Sequence, residues 1–275
     1  MHQNNMSYRI RKVQSGTRKI NFLDWGHDNK TTLVFLHTDN DRAFTWIELA
    51  ERMLLNFRII AIDRSGHGDS DWNTQYDRKT EIEDLDLVLK TLSLDQFVLV
   101  GHGKGGLIAV DYAARFSEKL LGLVIIDSDL NNTGSGLFAD KQFAATRKWA
   151  SKNDLKQHIK TLQPESTEES ILRQVEYLTR ACKSFRVWVS DQKAISFFDY
   201  TDITDKWTSV KCPAMLLRGR RSKVLTHENA VKIRELLSKV KLVELEGAGY
   251  WSHHETTAAV ESALLWFVSQ IVNDV

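Results

Sequence analysis

The stretch Val100-Gly101-His102-Gly103-Lys104-Gly105-Gly106 decides the fold of this chain. It follows an apolar run, Phe97–Val100, and precedes a helix-forming stretch, Leu107–Ala114. A strand that turns tightly into a helix holds the residue at the turn above the end of a sheet, and flanking glycines permit the turn. Here that residue is Gly103, so the turn presents no side chain.

The composition of the chain is that of a globular protein, with 42% hydrophobic and 27% charged residues among 275. The formal net charge is +1, and no basic stretch with interleaved aromatics suggests a nucleic-acid partner. Cys182 and Cys212 form neither a disulfide framework nor a metal-binding motif, and we expect no metal and no cofactor. Residues Met1–Met6 are not apolar, and no later run is long enough to span a bilayer. We therefore expect a cytoplasmic protein without a membrane partner.

Apolar runs alternate with amphipathic stretches along most of the chain, which is typical of a parallel sheet with helices on both faces. Upstream, Tyr8–Val13 and Ile20–Trp25 alternate well enough to form an antiparallel edge. The predicted buried strands are Thr32–Leu36, Arg58–Ile62, Phe97–Val100, Leu121–Ile126, Ala214–Leu217 and Lys241–Leu245. Helices are predicted around 44–55, 81–92, 107–114 and 257–272.

The alternation stops between about Asn131 and Trp207, where the chain is polar, helix-forming and rich in aromatic residues. No buried strand is evident in this segment, and the sheet pattern resumes after it. An inserted helical cap explains this better than a separate domain. The predicted organisation is a core of residues 1–130 and 208–275 with a cap of residues 131–207.

Several further motifs occur in order along the chain. They are the strand end Leu36-His37 with Trp46 downstream, the loop Asp63–Trp72, the approach Val210–Pro213 before Arg218-Gly219, and the loop Gly247–Trp251 followed by His253 and Glu255. With the turn at Gly103, they make the chain resemble the α/β-hydrolase superfamily over nearly its whole length. The resemblance implies an α/β fold with a mostly parallel, doubly wound sheet, an inserted helical lid, and an elbow turn over Gly101–Gly105.

The residues that carry catalysis in that superfamily are replaced here. Gly103 occupies the nucleophile position, Ser222 or Lys223 the acid position, and Tyr250 the histidine position. The loop expected to supply an oxyanion donor, residues 37–41, also lacks its usual glycine. Covalent acyl transfer needs a nucleophile, a base within reach and a group that orients the base. We therefore expect a degenerate catalytic triad and no conventional serine hydrolase.

Four polar residues near the elbow are the candidate catalytic groups. His102 and His37 are either relocated general bases or scaffold residues that hydrogen-bond to loops. Asp127 follows a strand at a point where some superfamily members place their acid, or it fixes the junction of strand and lid. Tyr250 either donates a proton to a substrate oxygen or fills space.

A wider set of residues is expected to line the pocket under the lid. The backbone N–H of Lys104 lies at the start of the helix and is expected to supply one of the two oxyanion donors, whatever side chain the residue carries. Asp39 and Asp41 suit a cationic substrate or a proton acceptor, unless they are solvated loop carboxylates. The predicted pocket residues are Thr38, Asp39, Gly103, Lys104, Trp149, Trp251 and His253.

Three functions agree with these residues. The first is a non-hydrolytic enzyme (a lyase, isomerase, cyclase or cofactor-free oxygenase) that positions a small molecule and transfers a proton. The second is an inactive pseudo-hydrolase that binds a ligand or a protein. The third is a hydrolase that uses displaced residues. The sequence gives neither the substrate nor the oligomeric state.

Overall fold

The computed structural model describes residues 8–26, 30–129, 148–182, 185–191, 193–194, 203–237 and 239–272. The strands, in chain order, are β1 Arg9–Ser15, β2 Arg18–Asp24, β3 Thr32–Leu36, β4 Arg58–Ile62, β5 Phe97–His102, β6 Leu120–Ile126, β7 Lys148–Trp149, β8 Thr179–Cys182, β9 Phe185–Trp188, β10 Ala214–Gly219 and β11 Val240–Leu245.

The helices alternate with these strands. In chain order they are α1 Ile47–Met53, α2 Arg78–Thr91, α3 Lys104–Phe116, α4 Lys152–Leu162, α5 Glu168–Tyr177, α6 Thr204–Ser209, α7 His227–Leu236, α8 Ser252–Glu255 and α9 Thr257–Val272, with 3₁₀ turns over Ala43–Trp46 and Ser117–Lys119. No helix within the described ranges is long and apolar enough to cross a membrane.

Eight strands form one sheet in the order β1-β2-β4-β3-β5-β6-β10-β11. Strand β2 runs antiparallel to both of its neighbours, and the pairs from β4 to β11 are parallel. The central strands β3, β4, β5 and β10 are buried along their whole length, as expected for parallel strands covered on both faces. The predicted α/β fold with a mostly parallel, doubly wound sheet is confirmed.

Helices bury an apolar layer on each face of the sheet. On one face α2, α3, α6 and α7 pack around residues such as Tyr112 and Trp207. On the other face the 3₁₀ turn, α1 and α9 pack around Trp46 and Phe267. The two layers fix the carboxyl ends of the parallel strands, where binding sites of open α/β sheets form.

The segment between β6 and β10 contains both helices and strands. Helices α4 and α5 pack on each other through Leu155, Ile159, Ile171 and Val175, while β7, β9 and β8 form a small antiparallel sheet. This sheet was missed because its strands are too short to show a period-2 pattern. Residues 131–147, 183–184, 192 and 195–202 of the predicted cap lie outside the described residues, and the bounds of the cap remain a prediction. Trp207, at the predicted end of the cap, packs into the main core.

Glycines let strand β5 and helix α3 approach each other backbone to backbone. A Cβ on Gly101 would lie 2.4 Å from the carbonyl oxygen of Gly105, and a Cβ on Gly105 would lie 2.5 Å from that of Leu36. Neither backbone can move without shifting a central strand. The two glycines are therefore required by packing at the elbow.

We expect Gly101→Ala to lower the free energy of unfolding by about 1–3 kcal/mol, because an extra methyl group in a packed core forces backbone shifts. Urea unfolding measures the change. The control is Gly16→Asn, in a turn whose φ of 59° has open space beside it and which asparagine tolerates. Equal stability of Gly101→Ala and the natural chain would contradict the packing argument.

Candidate functional site

The residue at the centre of the elbow turn has a positive φ. Gly103 has φ 53° and ψ −119°, a conformation that few residues other than glycine adopt without cost. Its N–H donates to the Ile126 carbonyl at 3.0 Å, and α3 begins at the next residue. The strand–turn–helix geometry predicted from the sequence is present, with no side chain at its tip.

Two side chains fill the space above Gly103. The hydroxyl groups of Tyr250 and Thr38 are hydrogen-bonded at 2.7 Å, and a Cβ on Gly103 would lie 2.0 Å from Tyr250 Oη and 2.3 Å from Thr38 Oγ1. The N–H of Lys104 points to Thr38 Oγ1 at 3.4 Å. Burial raises the pKa of Tyr250 well above its usual 10, so the phenol stays protonated. We call this pair the Tyr250–Thr38 plug.

His102 supports the plug from below. Its Nε2 lies 2.9 Å from the Tyr250 carbonyl oxygen, which only accepts, so Nε2 carries the proton. Burial lowers the pKa of His102 to about 3, and the ring stays neutral. The rings of Tyr250 and Trp251 lie 4.4 Å and 5.4 Å from the imidazole, centroid to centroid. This geometry matches the scaffold interpretation of His102, and it places Trp251 against the elbow.

His37 joins two loops at the end of the sheet. Its Nε2 accepts the N–H of Arg64 at 3.0 Å, and its Nδ1 lies 2.6 Å from the Thr38 carbonyl. A neutral ring must then carry its proton on Nδ1. Burial, followed by the charges of its neighbours, lowers the pKa of His37 well below 6.5. Both ring nitrogens are occupied by the backbone, which again matches the scaffold interpretation.

Asp127 links strand β6 to strand β10. Its Oδ2 accepts the N–H of Gly219 at 2.9 Å, and the Ser222 hydroxyl also bonds to this carboxyl group. Burial raises the pKa of Asp127 to about 8. Of the two residues at the predicted acid position, Ser222 is buried and Lys223 is exposed. The side chain of Asp127 therefore contacts Ser222 at the predicted acid position and joins the end of β6 to the end of β10.

The carboxylate of Asp39 is buried in a network of cations. It contacts Lys104 Nζ, lies 3.3 Å from Arg64 Nη1, and lies 3.9 Å from His67 Nε2. Arg64 also pairs with Glu81 at 2.7 Å. Asp39 is therefore not a solvated loop carboxylate, because it is 1% exposed and lies between two positive side chains of the chain. Lys104 is likewise paired below the surface, only 4% exposed.

The structure gathers a polar cluster that the sequence did not reveal as a unit. Thr45 Oγ1 lies 3.0 Å from His253 Nε2 and 2.9 Å from His254 Nε2, and the Thr45 hydroxyl also bonds to the carboxylate of Asp41. Tyr177 Oη lies 3.3 Å from His254 Nε2. Asp41 and His253 were each noted in the sequence, but about 200 residues separate them, and no local pattern joins such distant positions.

The electrostatics of this cluster follow from its burial. Burial lowers the pKa of His254 to about 3 and that of His253 well below 6.5. Burial raises the pKa of Asp41 to about 7, so this carboxyl group changes charge near neutral pH. His253, predicted to line a pocket, is enclosed between Trp46 and His254.

A pocket with a volume of about 420 Å³ opens beside the cluster, between α1 and cap helix α5. The residues lining it include Arg42, Thr45, Ile47, Arg173, Tyr177 and His254. Trp149, also predicted to line a pocket, packs instead in the cap with Leu155 and with His158, whose ring centroid is 4.7 Å away.

A sequence profile described as the alpha/beta hydrolase family matches residues 33–263. The chain belongs to this family. The match covers most of the described core, including the elbow and the loop that carries Tyr250, and it confirms the resemblance found in the sequence.

Individual relatives are distant. A Haemophilus influenzae protein named "Putative esterase/lipase" is 26% identical over 88% of this chain and 84% of its own length. The 2-(acetamidomethylene)succinate hydrolase of Mesorhizobium japonicum is 23% identical over 94% of both chains. A crystal structure of E-2-(acetamidomethylene)succinate hydrolase superposes with a TM-score of 0.85 at 20% identity, over 95% of this chain and 99% of that one. The superposition establishes the shared fold.

We expect Gly103→Ser to lower the melting temperature without creating esterase activity, because the new Cβ collides with the plug and no histidine stands at position 250. Hydrolysis of p-nitrophenyl butyrate and labelling by a fluorophosphonate probe measure this. Gly103→Ala is the matched control, since it carries the same collision without a hydroxyl group. Stoichiometric labelling of the introduced serine would show that a base lies within reach.

The raised pKa of Asp127 predicts a pH dependence of stability. An aspartate in an unfolded chain titrates near pH 3.9, whereas folded Asp127 holds its proton up to about pH 8. Between these values only the folded state binds the proton, so this contribution to stability is lost as pH rises.

We therefore expect the free energy of unfolding of Asp127→Asn to fall less steeply than that of the natural chain between about pH 5 and 8. Urea unfolding at several pH values measures the slopes, and the exposed Asp205→Asn is the control. Asp41 contributes its own pH dependence to all three proteins. Parallel slopes for Asp127→Asn and the natural chain would rule out the proposed protonation.

Proposed function

We propose that this protein is a small-molecule-binding member of the alpha/beta hydrolase family in which the elbow forms no covalent intermediate. The Tyr250–Thr38 plug carries the proposal, because the hydroxyl groups stand where the side chain of a nucleophile would project from residue 103. Opening this space would break a buried hydrogen bond and displace an aromatic ring that is only 4% exposed. A substrate carbonyl therefore has no room beside the elbow.

The pocket between α1 and α5 is the proposed binding site. Its volume of about 420 Å³ falls within the range of roughly 300–1,000 Å³ found for small-molecule sites. Phe44 and Ile47 supply apolar surface, while Arg42 and Arg173 border the same space. Glu48 and Glu176 also border the pocket, and Arg173 pairs with Glu48 and Glu169. The apolar walls therefore suit a small aromatic or aliphatic molecule.

The names of the relatives favour hydrolysis over the lyase, isomerase, cyclase or oxygenase chemistry that the absent nucleophile suggested. Those names describe other proteins at 26% identity or less. The residues expected to transfer protons at the elbow, His102, His37 and Tyr250, all bond within the protein. Binding without elbow chemistry therefore agrees best with the geometry.

Titration with 1-anilinonaphthalene-8-sulfonate, an apolar aromatic anion that fluoresces when shielded from water, tests the pocket. We expect saturable binding to the natural chain and loss of binding in Ile47→Trp, whose indole fills the pocket. Leu172→Trp is the control, because Leu172 lies on the same cap helix but is 49% exposed. Unchanged binding in Ile47→Trp, or no binding to the natural chain, would contradict the assignment.

A second candidate function is hydrolysis at the cluster beside the pocket, favoured by the relatives' names and by the contact of Thr45 with His254. This candidate requires measurable hydrolysis of p-nitrophenyl butyrate by the natural chain. His254→Gln would then reduce turnover at least about a hundredfold, the lower end of the contribution of general acid–base catalysis. His227→Gln, at an exposed histidine, would leave it unchanged. No turnover above the blank by the natural chain eliminates this candidate.

A further inference from the structure

We propose that Asp41, His253 and His254 form a binding site for one divalent transition-metal ion such as Zn²⁺. One carboxylate oxygen of Asp41 and one ring nitrogen from each histidine lie within 4.8 Å of one another, and all three residues are buried. Two imidazoles and a carboxylate form a common zinc ligand set. The inference does not depend on what the neighbouring pocket binds.

The separation of the ligand atoms is close to that of a coordinated ion. Tetrahedral ligands at about 2.0–2.2 Å from zinc lie roughly 3.3–3.6 Å apart. The ligand atoms lie within 4.8 Å of one another, so coordination requires the side chains to approach each other by at most about 1.5 Å. Thr45 Oγ1 lies near 3 Å from both imidazoles, so its hydroxyl group must rotate away or become a ligand when the ion enters.

The cluster contains polar atoms with no partner, which point to a ligand. Asp41 Oδ2 and His253 Nδ1 make no hydrogen bond with any residue in the part of the chain that the structure describes, although both atoms are buried. A buried carboxylate oxygen without a donor is costly. A cation beside Asp41 supplies the missing interaction directly.

The supporting contacts fix the orientation of the imidazoles. Ser170 Oγ lies 3.4 Å from His254 Nδ1, the kind of outer contact that orients a metal-bound histidine. The ring centroids of His253 and His254 lie 4.2 Å apart with the planes tilted by 41°, and the Trp46 ring lies 4.6 Å from His253. Little reorganisation is then needed to bring both rings to one ion.

The position of His254 gives the ion a route to solvent. His254 lines the pocket between α1 and α5, whereas His253 and Asp41 lie behind it with 1% exposure each. Three protein ligands leave the fourth position of a tetrahedral zinc ion open. Water or a ligand in the pocket can take that position.

Titration of the chelator-treated protein with Co²⁺ tests the site, because Co²⁺ bound by nitrogen and oxygen ligands has a visible absorption band. We expect one equivalent to bind and to be displaced by Zn²⁺. We expect His254→Gln and Asp41→Asn each to weaken binding more than tenfold. His227→Gln removes an exposed histidine that lies 3.0 Å from Glu244, and this control should bind normally.

Absence of the band in the natural chain, or full binding by His254→Gln, would overturn the proposal, as would loss of binding in His227→Gln. Circular dichroism verifies that each variant is folded. If a variant fails to fold, anomalous scattering from a Zn²⁺-soaked crystal of the natural chain decides. A peak between Asp41 and the two histidines supports the site, and a peak elsewhere or no peak overturns it. None of these outcomes depends on binding of the fluorescent anion.

Discussion

The hydrogen bond between Tyr250 and Thr38 closes the space above Gly103. It joins the loop after β11 to the loop after β3, directly above the tip of the elbow. His102 holds the Tyr250 carbonyl from below and His37 holds the Thr38 carbonyl from the side. Three loops at the end of the sheet, after β3, β5 and β11, are thereby joined around a residue that has no side chain.

Buried charges reinforce the same closure. Asp39 contacts Lys104, the first residue of α3, and Arg64 in the loop after β4. Charges removed from water are stabilised only when they are paired. Most charged and polar groups around the elbow are consequently paired within the protein, although His102 Nδ1 and Asp127 Oδ1 are buried without a hydrogen-bond partner among the described residues.

Polar side chains that face a pocket lie instead where cap helix α5 faces the 3₁₀ turn and α1. There Thr45, His253 and His254 meet Asp41, and the pocket opens beside them. A binding pocket, displaced acid–base chemistry and a metal ion would all use this one region. This arrangement depends on the cap, because helix α5 supplies Ser170 and Tyr177 to the cluster and one wall to the pocket.

The sequence alone determined the fold and the absence of a side chain at the elbow. Continuous apolar strands, amphipathic helices and glycines at a tight turn are local patterns, each fixed by the neighbours within a few residues. Even so, β7, β8 and β9 were missed, since strands this short carry no periodicity. His102, His37, Tyr250 and Asp127 were found as residues near the elbow, but their hydrogen-bond partners were not.

The contacts of those residues depend on parts of the chain that lie far apart in the sequence. Tyr250 fills the space above Gly103 with its hydroxyl group bonded to Thr38, which is 212 positions away in the sequence. Whether Asp39 is solvated depends on Lys104 and Arg64. The cluster of Asp41 with His253 and His254 exists because the ends of parallel strands meet at one edge of the sheet. Burial there sets the pKa values, and burial is a property of the packed chain that no local sequence pattern specifies.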